Sequence, residues 1–354
     1  MKRVFCIFLA VVMLLSLCAC ANNETKTTTA APDSTEKAPE ESAKTPETGA
    51  EPASRKAFNI YSLKGPTTMG LVTLLRDSLM GKTENEYKPT LCTAADEVTA
   101  ALANGDADIA LLPANAAAAL FNKAGGFSVV GINTLGVLYM LENGKSVQSM
   151  DDLAGKTVFL TGKGTTPEYA LRYLLSAHGI EDQVTLEFKS EAQEVVEAMA
   201  QNTAAIGVLP QPFATAAQIQ NDGLRQALNL TEEWAAVTQD SILVTGVTVV
   251  RNEILEQYPL EIALFLKEAA QGVENVNKDP KEAAKIIAEL GIVAKAPIAE
   301  KALPFCNLVS ITGTEMKTLL SGYLQTLFDQ NPKAVGGAMP ADNFYYTGFN
   351  YTGE

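Results

Sequence analysis

From residue 57 onward, short apolar runs alternate with stretches in which Leu, Ala and Val recur every three or four positions. Runs of the first kind read as strands buried on both faces, and stretches of the second kind as amphipathic helices. The pattern predicts strands over 58–62, 88–93, 108–113 and 127–132, with helices over 68–80, 95–104 and 115–123 between them. Leu71, Leu74, Leu75 and Leu79 give the first helix its apolar face, Gly105 closes the second, and Gly125 and Gly126 close the third. Strands joined through helices by short loops imply a parallel sheet with helices on both faces.

The pattern then restarts, with strands over 157–161, 184–188 and 205–209 and helices over 167–177 and 192–201. "EVTAALANGDADIALLP" (97–113) aligns without a gap on "EVVEAMAQNTAAIGVLP" (194–210), pairing Glu97 with Glu194, Ile109 with Ile206 and Pro113 with Pro210. Each copy opens on a strand, a Lys-Gly loop with two threonines, then a helix: "LKGPTT" at 63–68 and "TGKGTT" at 161–166. Two lobes of like topology follow. The apolar runs "GVLYML" (136–141) and "SILVTGVTVV" (241–250) stand where the chain must leave the first lobe and return to it. The expected division is 57–140 with 247–354 as lobe 1, and 141–246 as lobe 2. After Arg251 the spacing predicts helices over 260–276, 280–290 and 314–329 that thicken the first lobe, and the Phe- and Tyr-rich end packs back on the body.

The amino end reads differently. Residues 1–20 have Lys2 and Arg3, then an apolar run too short for a membrane span, closing on Leu17-Cys18-Ala19-Cys20; that is a secretory signal peptide. Its end resembles the lipobox of bacterial lipoproteins, which implies that Cys20 becomes the diacylated first residue; a soluble exported protein cleaved nearby is the alternative. More than one acyl chain anchors durably. Residues 21–56 are Thr, Glu, Pro, Ala and Ser with almost nothing to bury, so a disordered tether is expected. The net charge of −14 argues against nucleic acid as a partner. Once the leader is gone and Cys20 acylated, Cys92 and Cys306 remain, either paired or as two buried thiols.

Candidate chemistry sits in the repeated loops. A loop between a parallel strand and its following helix lies at the strand's carboxyl end, where open α/β sheets bind ligands, and the helix start adds unpaired N–H groups. Gly65 and Gly164 allow close approach of the backbone, and Thr67, Thr68, Thr165 and Thr166 either cap their helices or donate outward. Asn115 and Gln211, in the loops after the third strand of each lobe, are amides suited to orienting a polar solute or to bracing a turn. Lys64 and Lys163 either balance an anionic group or are solvated. Enzyme signatures are weak: His178, the only histidine, precedes a helix-ending glycine. No metal-ligand spacing, Walker spacing before Lys163 or Gly-x-Ser-x-Gly elbow occurs. Trp234 reads as core or interlobe packing ahead of a stacking platform.

Lipobox, tether, two α/β lobes and a helical return together resemble the solute-binding lipoproteins of ABC importers, in particular the nitrate/sulfonate/taurine and thiamine-pyrimidine-precursor group. "LKGPTTMGL", "LANGDADIALLP", "LAGKTVFLTGKGTTPE" and "LPQPFAT" carry the likeness. It implies an α/β, two-lobed type II periplasmic-binding-protein fold with two crossover strands. It also implies a monomer, lipid-anchored on the outer face of the cytoplasmic membrane, that passes a small polar or heteroaromatic solute to a permease driven by an ATPase, without cofactor, metal or catalytic residue. The solute-lining positions implied are Lys64, Gly65, Thr67, Thr68, Asn115, Gly164, Thr165, Thr166 and Gln211. No arginine stands in those loops to clamp a sulfonate, a departure that leaves neutral or heteroaromatic solutes open. The same fold serves as an enzyme in some menaquinone-biosynthesis proteins, against which export and the missing catalytic groups weigh. A surface sensor that signals to a membrane kinase is a third reading.

Overall fold

The computed structural model describes residues 55–201, 205–238 and 241–349. The expected leader, Cys20 and all but the last two residues of the expected tether lie outside the described residues. The chain forms β1 (Ala57–Leu63), α1 (Pro66–Met69), α2 (Val72–Leu79), β2 (Glu86–Cys92), α3 (Ala95–Asn104), β3 (Ile109–Pro113), α4 (Ala114–Ala124) and β4 (Phe127–Leu135). It continues through β5 (Leu138–Asn143), β6 (Thr157–Leu160), α5 (Thr166–Ala177), β7 (Thr185–Phe188), α6 (Ala192–Gln201) and β8 (Ile206–Pro210). Next come α7 (Phe213–Gln220), β9 (Leu224–Asn229), α8 (Leu230–Val237) and β10 (Val244–Arg251). The last part is α9 (Asn252–Gln257), α10 (Pro259–Lys278), α11 (Pro280–Glu289), α12 (Ala296–Ala302), β11 (Leu308–Ile311) and α13 (Gly313–Gln330).

These strands make two sheets, in the orders β11-β4-β10-β3-β1-β2 and β7-β6-β8-β5-β9. In the first, β1 pairs in parallel with β2 and β3, and β10 runs antiparallel between β3 and β4. In the second, β6 pairs in parallel with β7 and β8, and β5 runs antiparallel between β8 and β9. Apart from the edge strand β11, which has no counterpart, the roles match strand for strand, so the internal repeat in the sequence is a repeat of topology. Each sheet receives its antiparallel strand directly after the chain arrives from the other. Pairing puts all of β5 in the second sheet and all of β10 in the first, so each change of sheet falls three residues before the expected lobe borders at 140/141 and 246/247.

The expected helix over 68–80 is two helices, broken at Gly70 and Leu71. The break lies where α10 crosses at close range. A Cβ built on Gly70 would stand 3.0 Å from Cγ2 of Val273, and one on Gly272 would stand 3.1 Å from the Gly70 carbonyl oxygen. The Thr73 hydroxyl donates to the Gly272 carbonyl at 3.3 Å across the same crossing. Tertiary packing there overrides the helical spacing of the four leucines, Leu79 being 67 % exposed.

Burial follows the layers. One apolar cluster spans both sheets: it runs from Val98, Ala117 and Leu320 over the first sheet, through Leu138, Leu243 and Trp234, to Leu171 and Leu174 over the second. The outer faces carry separate clusters, around Phe265 and Ile287 in the first lobe and Val195 and Met199 in the second.

Candidate functional site

Parallel neighbours end on one edge of a sheet. β1 beside β3 therefore sets the loop over 64–68 next to the turn over 113–115, and β6 beside β8 sets the loop over 161–166 next to Gln211. The two edges meet. The Asn115 side chain, on the first turn of α4, donates from Nδ2 to the Gly164 carbonyl at 3.4 Å, and its Oδ1 accepts from the Thr166 hydroxyl at 3.3 Å. The carboxyl ends of the parallel strands of both sheets thus face one seam, and the helix starts facing across it are those of α4 and α5.

The expected site residues take distinct roles around this seam. Thr67 and Thr68 are buried and both hydroxyls donate to the Leu63 carbonyl, at 3.1 and 2.5 Å, while Thr68 also shares a short hydrogen bond with Ser62. Thr165 donates to the Gly162 carbonyl at 2.7 Å. None of the four threonines caps a helix through its side chain; Thr67, Thr68 and Thr165 brace their own loops, and only Thr166 points its hydroxyl across the seam. Gly65 and Gly164 have φ of 135° and 77°, backbone geometry that glycine adopts freely. The N–H of Gly164 is taken by Glu168 at 2.7 Å. Gln211 is 3 % exposed; its Oε1 accepts from the Thr215 hydroxyl at 2.8 Å and its N–H donates to the Val137 carbonyl at 3.0 Å, on the chain crossing. Lys64 and Lys163 are exposed, and the Lys163 ammonium stands 5.8 Å over the Phe188 ring of its own lobe.

Helix dipoles decide which loops can act electrostatically. α1 is one turn, whereas α4 and α5 have eleven and twelve residues. A full helix end favours a nearby negative group by about 0.3–1 kcal/mol when exposed, and a single turn sums too few peptide dipoles for that. The seam therefore has two positive ends, from α4 and α5, turned toward each other.

Sequence reasoning did not single out Tyr323 or Thr231. Tyr323, on α13, is fully buried; its hydroxyl lies beside Thr166 without making a hydrogen bond of sound geometry, and burial pushes its pKa up, so it remains a neutral donor. The Tyr323 ring stands 5.6 Å from Trp234 on α8, which stands 4.5 Å from Tyr173 on α5. Because α13 packs on β4 and α4 of the first lobe, this aromatic column crosses the seam, and Trp234 proves to be interlobe packing. The buried hydroxyls of Thr231, near the crossing at Gly136, and Thr245, at the start of β10, also lack hydrogen-bond partners. The available signal was a hydroxyl-bearing residue inside an apolar stripe: Tyr323 sits among Met316, Leu320, Leu324 and Leu327. A buried hydroxyl there demands a partner.

Other candidate chemistry resolves simply. Cys92 and Cys306 are both free, buried thiols. His178 pairs with Asp151 at 2.8 Å. Among the described residues, no group of three or more His, Cys, Asp or Glu is disposed to hold a metal ion, and no helix is long and apolar enough to cross a membrane. A cavity of about 20 Å³ beside α1, with Thr67, Asn133 and Thr248 on its wall, has room for one water.

Comparison with known proteins agrees with this architecture. Among solved structures, an ABC transporter protein from Parabacteroides distasonis superposes with a TM-score of 0.69 at 22 % identity, over 82 % of this chain and 99 % of that one. The periplasmic aliphatic sulphonate binding protein SsuA of Escherichia coli gives 0.65 at 17 % identity, over 84 % and 96 %. The alkanesulfonate-binding protein SsuA of Xanthomonas axonopodis pv. citri, bound to MOPS, gives 0.64 at 15 % identity, over 84 % and 99 %. At these identities the likeness establishes the fold, the two-lobed type II periplasmic-binding-protein fold expected from the sequence. No curated protein sequence matches the chain. The family model described as NMT1/THI5 like matches residues 91–283, more than half of the chain and the part that carries α4, all of the second lobe and both crossings. The Asn115 contacts with Gly164 and Thr166 thus fall within one recognisable stretch of sequence, and the protein belongs to the NMT1/THI5-like family.

Proposed function

We propose that the protein is the extracytoplasmic substrate-binding lipoprotein of an ABC importer, anchored through Cys20, which closes two lobes around a small polar or heteroaromatic solute and delivers it to a permease. The observation that carries this reading is the seam. The parallel strands of two sheets turn their carboxyl ends to each other, and two long helices start on either side of the seam. The buried hydroxyl of Tyr323 beside Thr166 lacks a partner, as do those of Thr231 and Thr245 near the crossings. Each unpaired buried hydroxyl costs about 1–3 kcal/mol, and a solute with acceptor atoms offsets that cost while it satisfies the first-turn N–H groups of α4 and α5. The loops holding Lys64, Gly65, Thr67, Thr68, Gly164, Thr165, Thr166 and Gln211 border this position. With hydroxyls, amides and backbone N–H groups and no arginine, they suit an uncharged or weakly charged solute.

Native mass spectrometry of protein purified without denaturation tests the reading. A retained small-molecule adduct, lost after unfolding and refolding and restored by the identified compound, is the expected result. No adduct, together with no binding to a panel of polar and heteroaromatic solutes, overturns it.

A further inference from the structure

We propose that Asn115 is the clasp that holds the two lobes shut, a positioning residue whose hydrogen-bonding capacity is spent on closure instead of on the solute. This rests on the reading that the lobes open and close around a solute. An asparagine amide has two N–H donors. Here one goes to the Gly164 carbonyl of the second lobe, at 3.4 Å, and the other to the Ala334 carbonyl of the first, at 3.3 Å. Oδ1 accepts from Thr166 of the second lobe. The side chain is 2 % exposed, so no donor is left for a ligand. Each contact is at the long end of hydrogen-bond range; the clasp works because three of them converge on one residue.

Neighbouring contacts separate this role from ordinary bracing. Asn122, two turns further along α4, donates from Nδ2 to the carbonyls of Val335 and Ala338, at 2.8 and 2.6 Å. Both asparagines therefore pin the segment after α13 to α4, and Asn115 additionally reaches across the seam. Removing Asn115 leaves Gly164 and Thr166 unpaired in the closed form, while in an open form water replaces the lost partner. The bond to Ala334, within the first lobe, is lost in both forms, so the difference between them falls on closure. Opening also separates Tyr323 from Trp234, and Trp234 is the chain's only tryptophan, fully buried in the closed form.

The test compares wild type, Asn115→Ala, Thr166→Val and Asn122→Ala by small-angle scattering and by acrylamide quenching of Trp234, with melting temperature as the control for folding. Asn115→Ala is expected to lower the closed-to-open ratio about tenfold, seen as a larger radius of gyration and stronger quenching. Thr166→Val shifts both the same way by less. Asn122→Ala loses bonds on the same helix but stays as compact as wild type. The clasp is overturned if Asn115→Ala is as compact and as weakly quenched as wild type, or if Asn122→Ala opens equally. Should Asn115→Ala fail to fold, Thr166→Val decides: unchanged quenching overturns the proposal and increased quenching upholds it. The transport reading fails on a different result, no adduct in native mass spectrometry together with no binding to the solute panel, which these measurements do not use.

Discussion

At the residue scale, a multiply bonded polar anchor lies away from the seam. Glu142, on β5, is 2 % exposed and accepts from the N–H groups of Ser146 and Val147, the Ser146 hydroxyl and the Arg225 guanidinium. Burial alone would raise its pKa, but these donors outweigh it and hold the carboxyl below the usual carboxylate range. A folded-state pKa below the unfolded value of about 4.3 contributes stability above that pH, and the contribution is lost as pH falls through the folded value. Glu142→Gln should therefore destabilise the protein by about 3 kcal/mol at neutral pH. In thermal melts, the gap between mutant and wild type should be full at pH 7 and shrink below about pH 4. Equal gaps at both pH values would remove the charge from the explanation. Site residues were legible at this scale only by type. Matched Lys-Gly-Thr loops could be read from the chain, but not that Thr67, Thr68 and Thr165 turn their hydroxyls onto their own backbone, because that depends on loop conformation.

At the element scale, the alternation of apolar runs and helical spacing locates the strands β1 to β4 and β6 to β8, and the two apolar crossing runs mark β5 and β10. β9 was not read, because "LRQALN" offers only Leu224 and Leu228 as buried apolar positions among Arg, Gln and Asn. β11 is a four-residue edge strand paired irregularly with β4, too short for a periodic signal. The split of the first helix was hidden for a different reason: its cause is α10, some two hundred residues away in the chain. A prediction belongs here. Gly272→Val places side-chain atoms against the Gly70 backbone, which cannot yield as a side-chain tip can. It should cost about 1–3 kcal/mol by overpacking, read as a lowered denaturant midpoint with unchanged slope. A neutral result would show that α10 can shift freely over α1 and α2.

For the whole molecule, the duplicated strand order explains why each half must borrow a strand from the passing chain: β10 fills the first sheet as β5 fills the second. The crossings at 136–137 and before Val244 then sit side by side under the seam. Gly136 belongs there, since a Cβ on it would lie 2.0 Å from the Thr231 hydroxyl oxygen. One apolar cluster continuous across both lobes means that neither half buries its inner face alone. Unfolding of the unliganded protein should therefore be a single calorimetric transition, with equal calorimetric and van't Hoff enthalpies. Two resolved transitions would show that the lobes are joined only by their crossings.

The sequence by itself determined the kind of each long element, the doubling of the αβ pattern and the two places where the chain changes sheets. Periodicity records which side of an element avoids water, and a repeated order of elements has few ways to pack. Tertiary structure alone decided which ends confront each other. The expectation favoured the two Lys-Gly-Thr loops; the facing pair is α4 and α5, joined by contacts between residues 49 and 51 positions apart and tied to a segment 219 positions away. Such pairings have no local signature, because they arise only when two separately encoded halves dock and the sum of many small contacts selects one relative placement.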